Sequence, residues 1–207
     1  MGLFKKYINQ TRKPEGALGK LMLQGMNSGH AKLADWGLEQ LPALSPAEIL
    51  ELGCGGGRNA GALLRAYPAA RVTAVDHSAL SVERTLVYNR EAVHGGRCVV
   101  QQRDVSDLRM GAEVFDLATA FETIYFWPSL KNGAEEVFRV LKPGGTFVIA
   151  NEQDGLDQSY RKLESAIGML VYTIDEIIEA LTNAGFTNIH SRHDEQRHFI
   201  CVTATKP

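Results

Sequence analysis

At 207 residues, with 44% apolar and 22% charged residues, the chain has the makeup of one globular domain with an embellishment, built on a single dominant core. A net charge of −2 gives no overall electrostatic reason to bind nucleic acid, and no stretch approaches the ~20 apolar residues that span a bilayer, so a membrane is not an expected partner. The three cysteines, Cys54, Cys98 and Cys201, are odd in number and lack a CxxC pair, which points away from a disulfide framework and from any metal site.

The chain opens Met1-Gly2-Leu3-Phe4-Lys5-Lys6, without the apolar core and cleavage site of a signal peptide. Lys6 also stands where a myristoylation signal carries Ser or Thr, so a cytoplasmic protein is expected. Lys5, Lys6, Arg12, Lys13, Lys20 and Lys32 face a single acid, Glu15, and form a basic arm read as solvated, with an anionic partner as the alternative. Residues 1–45 lack strand character and hold two short amphipathic patterns, 18–26 and 31–41, joined at Asn27-Ser28-Gly29-His30. They are read as an N-terminal helical cap over the mouth of a sheet, hinged through residues 42–46 into a second unit, 46–207. A monomer or a homodimer is expected, the latter through Trp36 and these helices.

From residue 47 onward, short β-rich runs alternate with helical patterns, the mark of βαβ units and a parallel sheet covered on both faces. Strands are predicted at 48–52, 71–76, 98–103, 115–121, 146–151, 187–192 and 198–205, and helices at 59–66, 79–94, 130–141 and 174–184. Thr173 followed by Glu176 reads as a capping box, and Gly185 as the left-handed stop of the same helix. The last two strands follow too closely for a crossover, so they form an antiparallel hairpin with its turn near 193–197. The fold class is α/β: a doubly wound, seven-stranded, mostly parallel sheet of Rossmann-like type, with the terminal hairpin and the N-terminal cap.

One segment concentrates the chemistry. Glu51-Leu52-Gly53-Cys54-Gly55-Gly56-Gly57-Arg58 sets a glycine turn directly after a buried strand and before a helix, where backbone can approach a ligand and the helix offers unpaired N–H groups. A dinucleotide fingerprint would need glycine where Arg58 stands. The second strand ends in Asp76-His77-Ser78, an acid able to accept from a ribose diol. The third ends in Gln102-Arg103-Asp104-Val105, the fourth runs from Phe115 to Glu122, and Leu141-Lys142-Pro143-Gly144-Gly145 precedes the fifth.

In this E-x-G-x-G-x-G pattern and in the order of the later segments, residues 47–151 resemble the class I S-adenosylmethionine-dependent methyltransferases. The resemblance implies S-adenosylmethionine as cofactor and S-adenosylhomocysteine as product. It implies a cofactor site of Glu51, Gly53, Cys54, Gly55, Asp76, His77, Ser78, Asp104, Val105 and Phe121, in which Asp76 meets the ribose and Asp104 the adenine amino group. Glu122 and Tyr125 are the catalytic candidates, and Met26, His30 and Trp127 the candidate substrate contacts. His193 and His198, in the hairpin, are expected to be solvated. Without an Asn/Asp-Pro-Pro-aromatic tetrad or a Pro-Cys nucleophile, two nucleic-acid-modifying subclasses are disfavoured, and a small-molecule acceptor leads. The competing readings are an NAD-dependent oxidoreductase and a non-catalytic S-adenosylmethionine-binding module.

Overall fold

The structure is a computed structural model that describes residue 16 and residues 31–41, 43–156 and 168–207. Helix α1 (Ala31–Glu39) precedes β1 (Glu48–Leu52), α2 (Arg58–Ala66), β2 (Arg71–Asp76), α3 (Ala79–Tyr88), α4 (Arg90–His94), β3 (Cys98–Gln102) and β4 (Phe115–Phe121). A 3-10 turn (Ile124–Phe126) then leads to α5 (Leu130–Val140), β5 (Leu141–Asn151), α6 (Ile174–Asn183), β6 (Thr187–Asp194) and β7 (Phe199–Thr205). The expected pattern at 18–26, the hinge residue Pro42, and Met22, Met26, Asn27 and His30 lie outside the described residues.

The strands form one seven-stranded sheet in the order β3-β2-β1-β4-β5-β7-β6. β1 to β5 run parallel, while β7 pairs antiparallel with both β5 and β6. This is the doubly wound α/β sheet with a terminal antiparallel hairpin that the sequence implies. The chain builds outward from β1 to β3, then restarts on the other side of β1 with β4. That reversal opens a crevice at the carboxyl ends of β1 and β4.

The central strands β1, β4, β5 and β7 are buried on both faces while the edge strand β6 is mostly exposed, and side chains sort by the period of two. Leu50, Leu52, Ala118, Ala120, Phe147 and Ile149 share one cluster, while Ile49, Leu117, Phe121, Val148 and Ala150 share the other. On the first face α5 and α6 pack, and Trp127 stacks on Phe147 with ring planes 4° apart. On the second, α1 lays Gly37 against Phe121 and Ala150, Trp36 meets Phe199, and Arg58 reaches Asp35 at 2.6 Å. At the opposite edge of the sheet, Asp116 accepts from the N–H groups of Ala47 and Glu48 and from Lys142, tying the starts of β1, β4 and β5 together.

Three boundaries depart from the sequence pattern for physical reasons. The predicted helix 79–94 is broken at Asn89, whose side-chain amide turns inward to donate to the carbonyls of Gly57 and Thr85. β5 begins at Leu141, five residues early, because Leu141 pairs with Phe115 across an irregularity and Gly144 and Gly145 exchange hydrogen bonds with Lys206. The hairpin strands extend to Asp194 and from Phe199, which narrows the turn to 195–198. The Thr173 capping box and the positive φ of Gly185 are as expected.

Gly133 on α5 is what lets the stacked indole into the core, since a Cβ there would lie 2.3 Å from Trp127 Cε3. Gly133→Ala gains up to ~1 kcal/mol of helix propensity but overpacks a rigid ring, at a cost of ~1–3 kcal/mol. The expected result is a net loss of up to about 2 kcal/mol in urea unfolding, with an unchanged slope; a raised midpoint would show that the indole is not wedged.

Candidate active site

Leu52, Asp76, Gln102, Phe121 and Asn151 end the five parallel strands along one rim, and the loops that follow them carry most of the residues singled out in the sequence. The turn after β1 is pinned by its own backbone: the N–H groups of Gly53 and Cys54 both donate to the carbonyl of Val75, at 2.8 and 2.9 Å. Gly53 has φ +75, and a Cβ there would fall 2.1 Å from Thr123 Oγ1, so its bare Cα is what allows the β4 exit to close on the β1 exit. Gly55, at φ +50, is different, because no atom of the described residues lies within 4 Å of where its Cβ would be. The turn therefore offers naked backbone to open space at the head of the crevice.

Asp76 holds this turn from β2. Its Oδ2 accepts from the Gly55 N–H at 3.0 Å and its Oδ1 from the Ser78 N–H at 2.8 Å. A carboxylate oxygen has two lone pairs, so each can still accept a hydroxyl. Burial pushes the Asp76 carboxyl above its ordinary value, against the pull of the Ser78 and Gly55 N–H groups. His77 stands exposed beside it, and the buried Ser78 caps α3 by accepting from the Ser81 N–H. On the β3 side, Asp104 is exposed and accepts from the Ser106 N–H, while Val105 packs half-buried on the core. Open glycine backbone, a buried acid with acceptor capacity and an exposed acid just beyond β3 form a surface of close backbone and acceptors that fits the ribose hydroxyls and adenine amino group of S-adenosylmethionine.

Cys54 and Glu51 lie beneath the turn. Burial, then the charge of Asp76, pushes the Cys54 thiol well above its ordinary value, so it is a packed thiol and not a nucleophile. Glu51 is completely buried, faces Thr119 across β1 and β4, and takes a short hydrogen bond from that hydroxyl, while its Oε1 has no hydrogen-bond partner among the described residues. Burial raises its pKa to about 8 despite the Thr119 bond, so the side chain is mostly a neutral acid at pH 7.

Across the crevice, Glu122 leaves β4 with φ +57, a strained conformation for a residue with a side chain. Its Oε1 accepts from the Tyr125 hydroxyl at 3.0 Å and from the Glu152 N–H, and the Tyr125 oxygen in turn accepts from the Gln153 N–H at 3.1 Å. The two residues are thus brought together as a clamp between the β4 and β5 exits. Burial, then the Glu122 charge, pushes the Tyr125 hydroxyl well above its ordinary value and keeps it a phenol. Phe121 is buried against Gly37 of α1. Trp127, expected at the substrate, is 5% exposed and sits in the core on Phe147, in the room left by Gly133. The two histidines expected in solvent stay at the surface but are tethered there: His193 Nε2 and His198 Nδ1 lie 3.3 and 2.8 Å from Oδ2 of Asp154, which is itself buried. Met26 and His30 lie outside the described residues.

A family model described as "Methyltransferase domain" matches residues 49–145, from the strand before the glycine turn to the glycine pair near the start of β5. Over those residues the chain matches a methyltransferase domain.

Other methyltransferases agree with the match. The chain is 32% identical over 149 residues to Sterol methyltransferase-like 2 of Botryococcus braunii, covering 67% of this chain and 38% of that protein. It is 28% identical over 149 residues to the Sterol 24-C-methyltransferase of Yarrowia lipolytica, covering 67% and 39%. The chain thus spans well under half the length of these curated relatives. Geranyl diphosphate C-methyltransferase from Streptomyces coelicolor superposes with a TM-score of 0.75 at 14% identity, over 93% of this chain and 85% of that one. A chain from the complex of the Haloferax volcanii Trm112 methyltransferase activator with a methyltransferase gives 0.80 at 20% identity, over 90% and 93%. Among the described residues no helix is long and apolar enough to cross a membrane.

Three further residues that the motif does not announce belong to the site: Thr123 and Asn151 at the strand exits, and Thr119 buried beneath them against Glu51. Thr119 and Asn151 are each a polar interruption in an otherwise apolar buried strand, a signal readable in the sequence. Thr123 was legible only through its contact with Gly53.

The acid beneath the turn has a measurable signature. Glu51 titrates near 4.5 when unfolded and near 8 when folded, so between those values the folded methyltransferase domain holds the extra proton and loses stability as pH rises. Glu51→Gln removes that slope: its urea midpoint relative to the unaltered protein should climb from pH 4.5 to about 8 and level off beyond. A constant difference across the range would mean that Glu51 is ionised in the fold.

Proposed function

We propose that this chain transfers a methyl group from S-adenosylmethionine to an apolar small molecule, in the crevice between the β1 and β4 exits. The observation that carries this reading is the open backbone at Gly55 beside the buried Asp76 carboxylate, on a domain of methyltransferase type. In this reading Gly53, Cys54 and Gly55 receive the amino-acid end of the cofactor, Asp76 with His77 and Ser78 the ribose, and Asp104 with Val105 the adenine. When bound, the cofactor would supply a sulfonium-bound methyl group for in-line transfer to the acceptor, with S-adenosylhomocysteine as the leaving group.

The protein's part is orientation and the exclusion of water. Holding two reactants in line contributes several kcal/mol on its own, and a positive charge that disappears along the reaction is helped by an apolar wall. Phe121, Ile124 and Tyr125, each at most 3% exposed, give the β4 exit such a wall. Glu122 and Tyr125 act as a pair: the phenol donates to the carboxylate and, with the Glu152 N–H, fixes its direction at the mouth of the crevice. Glu122 is the group assigned to take the acceptor's proton, and Tyr125 to hold it in place. Glu51 supports the turn from below as a neutral acid.

The acceptor is assigned to a small apolar molecule of the sterol or isoprenoid kind, supported by the names of the relatives and by the apolar wall at the β4 exit. Residues 46–207 are assigned as the methyltransferase unit, and residues 1–45, through α1, as its cap.

Titration calorimetry of the purified chain with S-adenosylmethionine, S-adenosylhomocysteine and NADH tests the assignment. Saturable binding of the first two is expected, weakened roughly tenfold or more by Asp76→Ala through the loss of about two hydrogen bonds to the ribose. Binding of NADH alone would sink the methyltransferase reading.

A further inference from the structure

The alternation along β5 puts Phe147 and Ile149 on the face covered by α5 and α6, and the next residue in that series is Asn151, the last of the strand. Asn151 is completely buried, and among the described residues neither Oδ1 nor Nδ2 of its amide has a hydrogen-bond partner. Buried side-chain amides almost always have partners, so this one leaves a place for a water or for a polar group of a ligand. Its position says which ligand. On one side it pairs with Ile200 of β7; on the other, Glu122 at the β4 exit donates its N–H to the carbonyl of Ala150, the preceding residue. Strands stand about 4.8 Å apart, so the amide lies one strand from the Glu122 and Tyr125 clamp and two from the glycine turn. It is at the crevice but beyond the residues assigned to the cofactor.

We infer that Asn151 binds the methyl acceptor, by hydrogen-bonding a hydroxyl group on an otherwise apolar molecule. This rests on the methyltransferase reading and names the substrate chemistry of the same site. An amide offers both donors and acceptors, and a hydroxyl is the small group that answers both. Ile149, Ala150 and Ile200 beside it are at most 1% exposed, so a carboxylate or ammonium at this point would be stripped of water with only a neutral amide in exchange. An alcohol regains its hydrogen bonds from the amide, and its apolar body suits Ile124, which belongs to the same face of the sheet.

The test uses the full chain saturated with S-adenosylhomocysteine, with decanol, farnesol and cholesterol as alcohol probes and decane and farnesene as matched hydrocarbons. The side-chain amide resonance of Asn151 is assigned by its disappearance in Asn151→Leu and followed in the unaltered protein. At least one alcohol should move it saturably where the hydrocarbons do not, and Asn151→Leu should bind that alcohol about tenfold more weakly or worse, with S-adenosylhomocysteine affinity within twofold. If no alcohol moves the resonance, or if hydrocarbons move it equally, the assignment of Asn151 is overturned. The same holds if Asn151→Leu melts at a lower temperature and loses S-adenosylhomocysteine as well, since that marks a structural amide. Should the variant not fold, an Asn151→Ser protein supplies the assignment, and the resonance of the unaltered protein alone decides between alcohol and hydrocarbon. An unaltered protein that fails to bind S-adenosylhomocysteine overturns the methyltransferase reading first, and this one with it.

Discussion

The Asp76 carboxylate is the point on which the crevice depends. A buried acid needs donors, and the two backbone N–H groups that serve it come from different elements: Gly55 in the turn after β1 and Ser78 at the start of α3. The ends of β1 and β2 are thereby fixed to each other within the length of one side chain. The Gly53 and Cys54 N–H groups, both spent on Val75, give the same joint a backbone component. With β1 and β2 locked, the remaining edge of the turn is the one facing β4, where the sheet order reverses.

That edge is closed by close approach and not by charge. Thr123 occupies the space that a side chain at residue 53 would fill, and behind it Glu122 takes up a left-handed backbone conformation that few residues adopt. Such strain persists only where neighbours overdetermine it. Here the neighbours are Tyr125, the Glu152 N–H and the stacked pair of Trp127 and Phe147, which fixes the 3-10 turn from below. The β4 exit is therefore built as a stiff wall, and the polar groups at its top are already oriented before any acceptor arrives.

The fold was legible because its signals are local. β1, β2 and β4 are short apolar runs bounded by turns, the glycine turn stands between a strand and a helix, and the Thr173 capping box marks its helix within four residues. What escaped is what depends on partners distant in sequence. The helix break at Asn89 requires Gly57, 32 residues away, and the histidines of the hairpin are held in place because Asp154 lies 39 and 44 residues before them. Trp127 reads as a substrate aromatic until Gly133 is seen to make room for it in the core. Asp76 and Gly55 could be named from the motif, whereas Asn151 stood out only as the polar end of an apolar strand, and what surrounds its amide depends on β7, much further along the chain.

The bond from Asn89 to the carbonyl of Gly57 also reaches beyond geometry. It joins the outermost helices, α3 and α4, to the turn at the head of the crevice, so those helices cannot open locally without releasing the turn. Ligand affinity and the cooperativity of the outer layer are thus one thermodynamic quantity seen from two sides. A molecule seated on the glycine backbone will slow hydrogen exchange in a helical pair that it never touches, and the looseness of that pair sets how much ordering each binding event must accomplish.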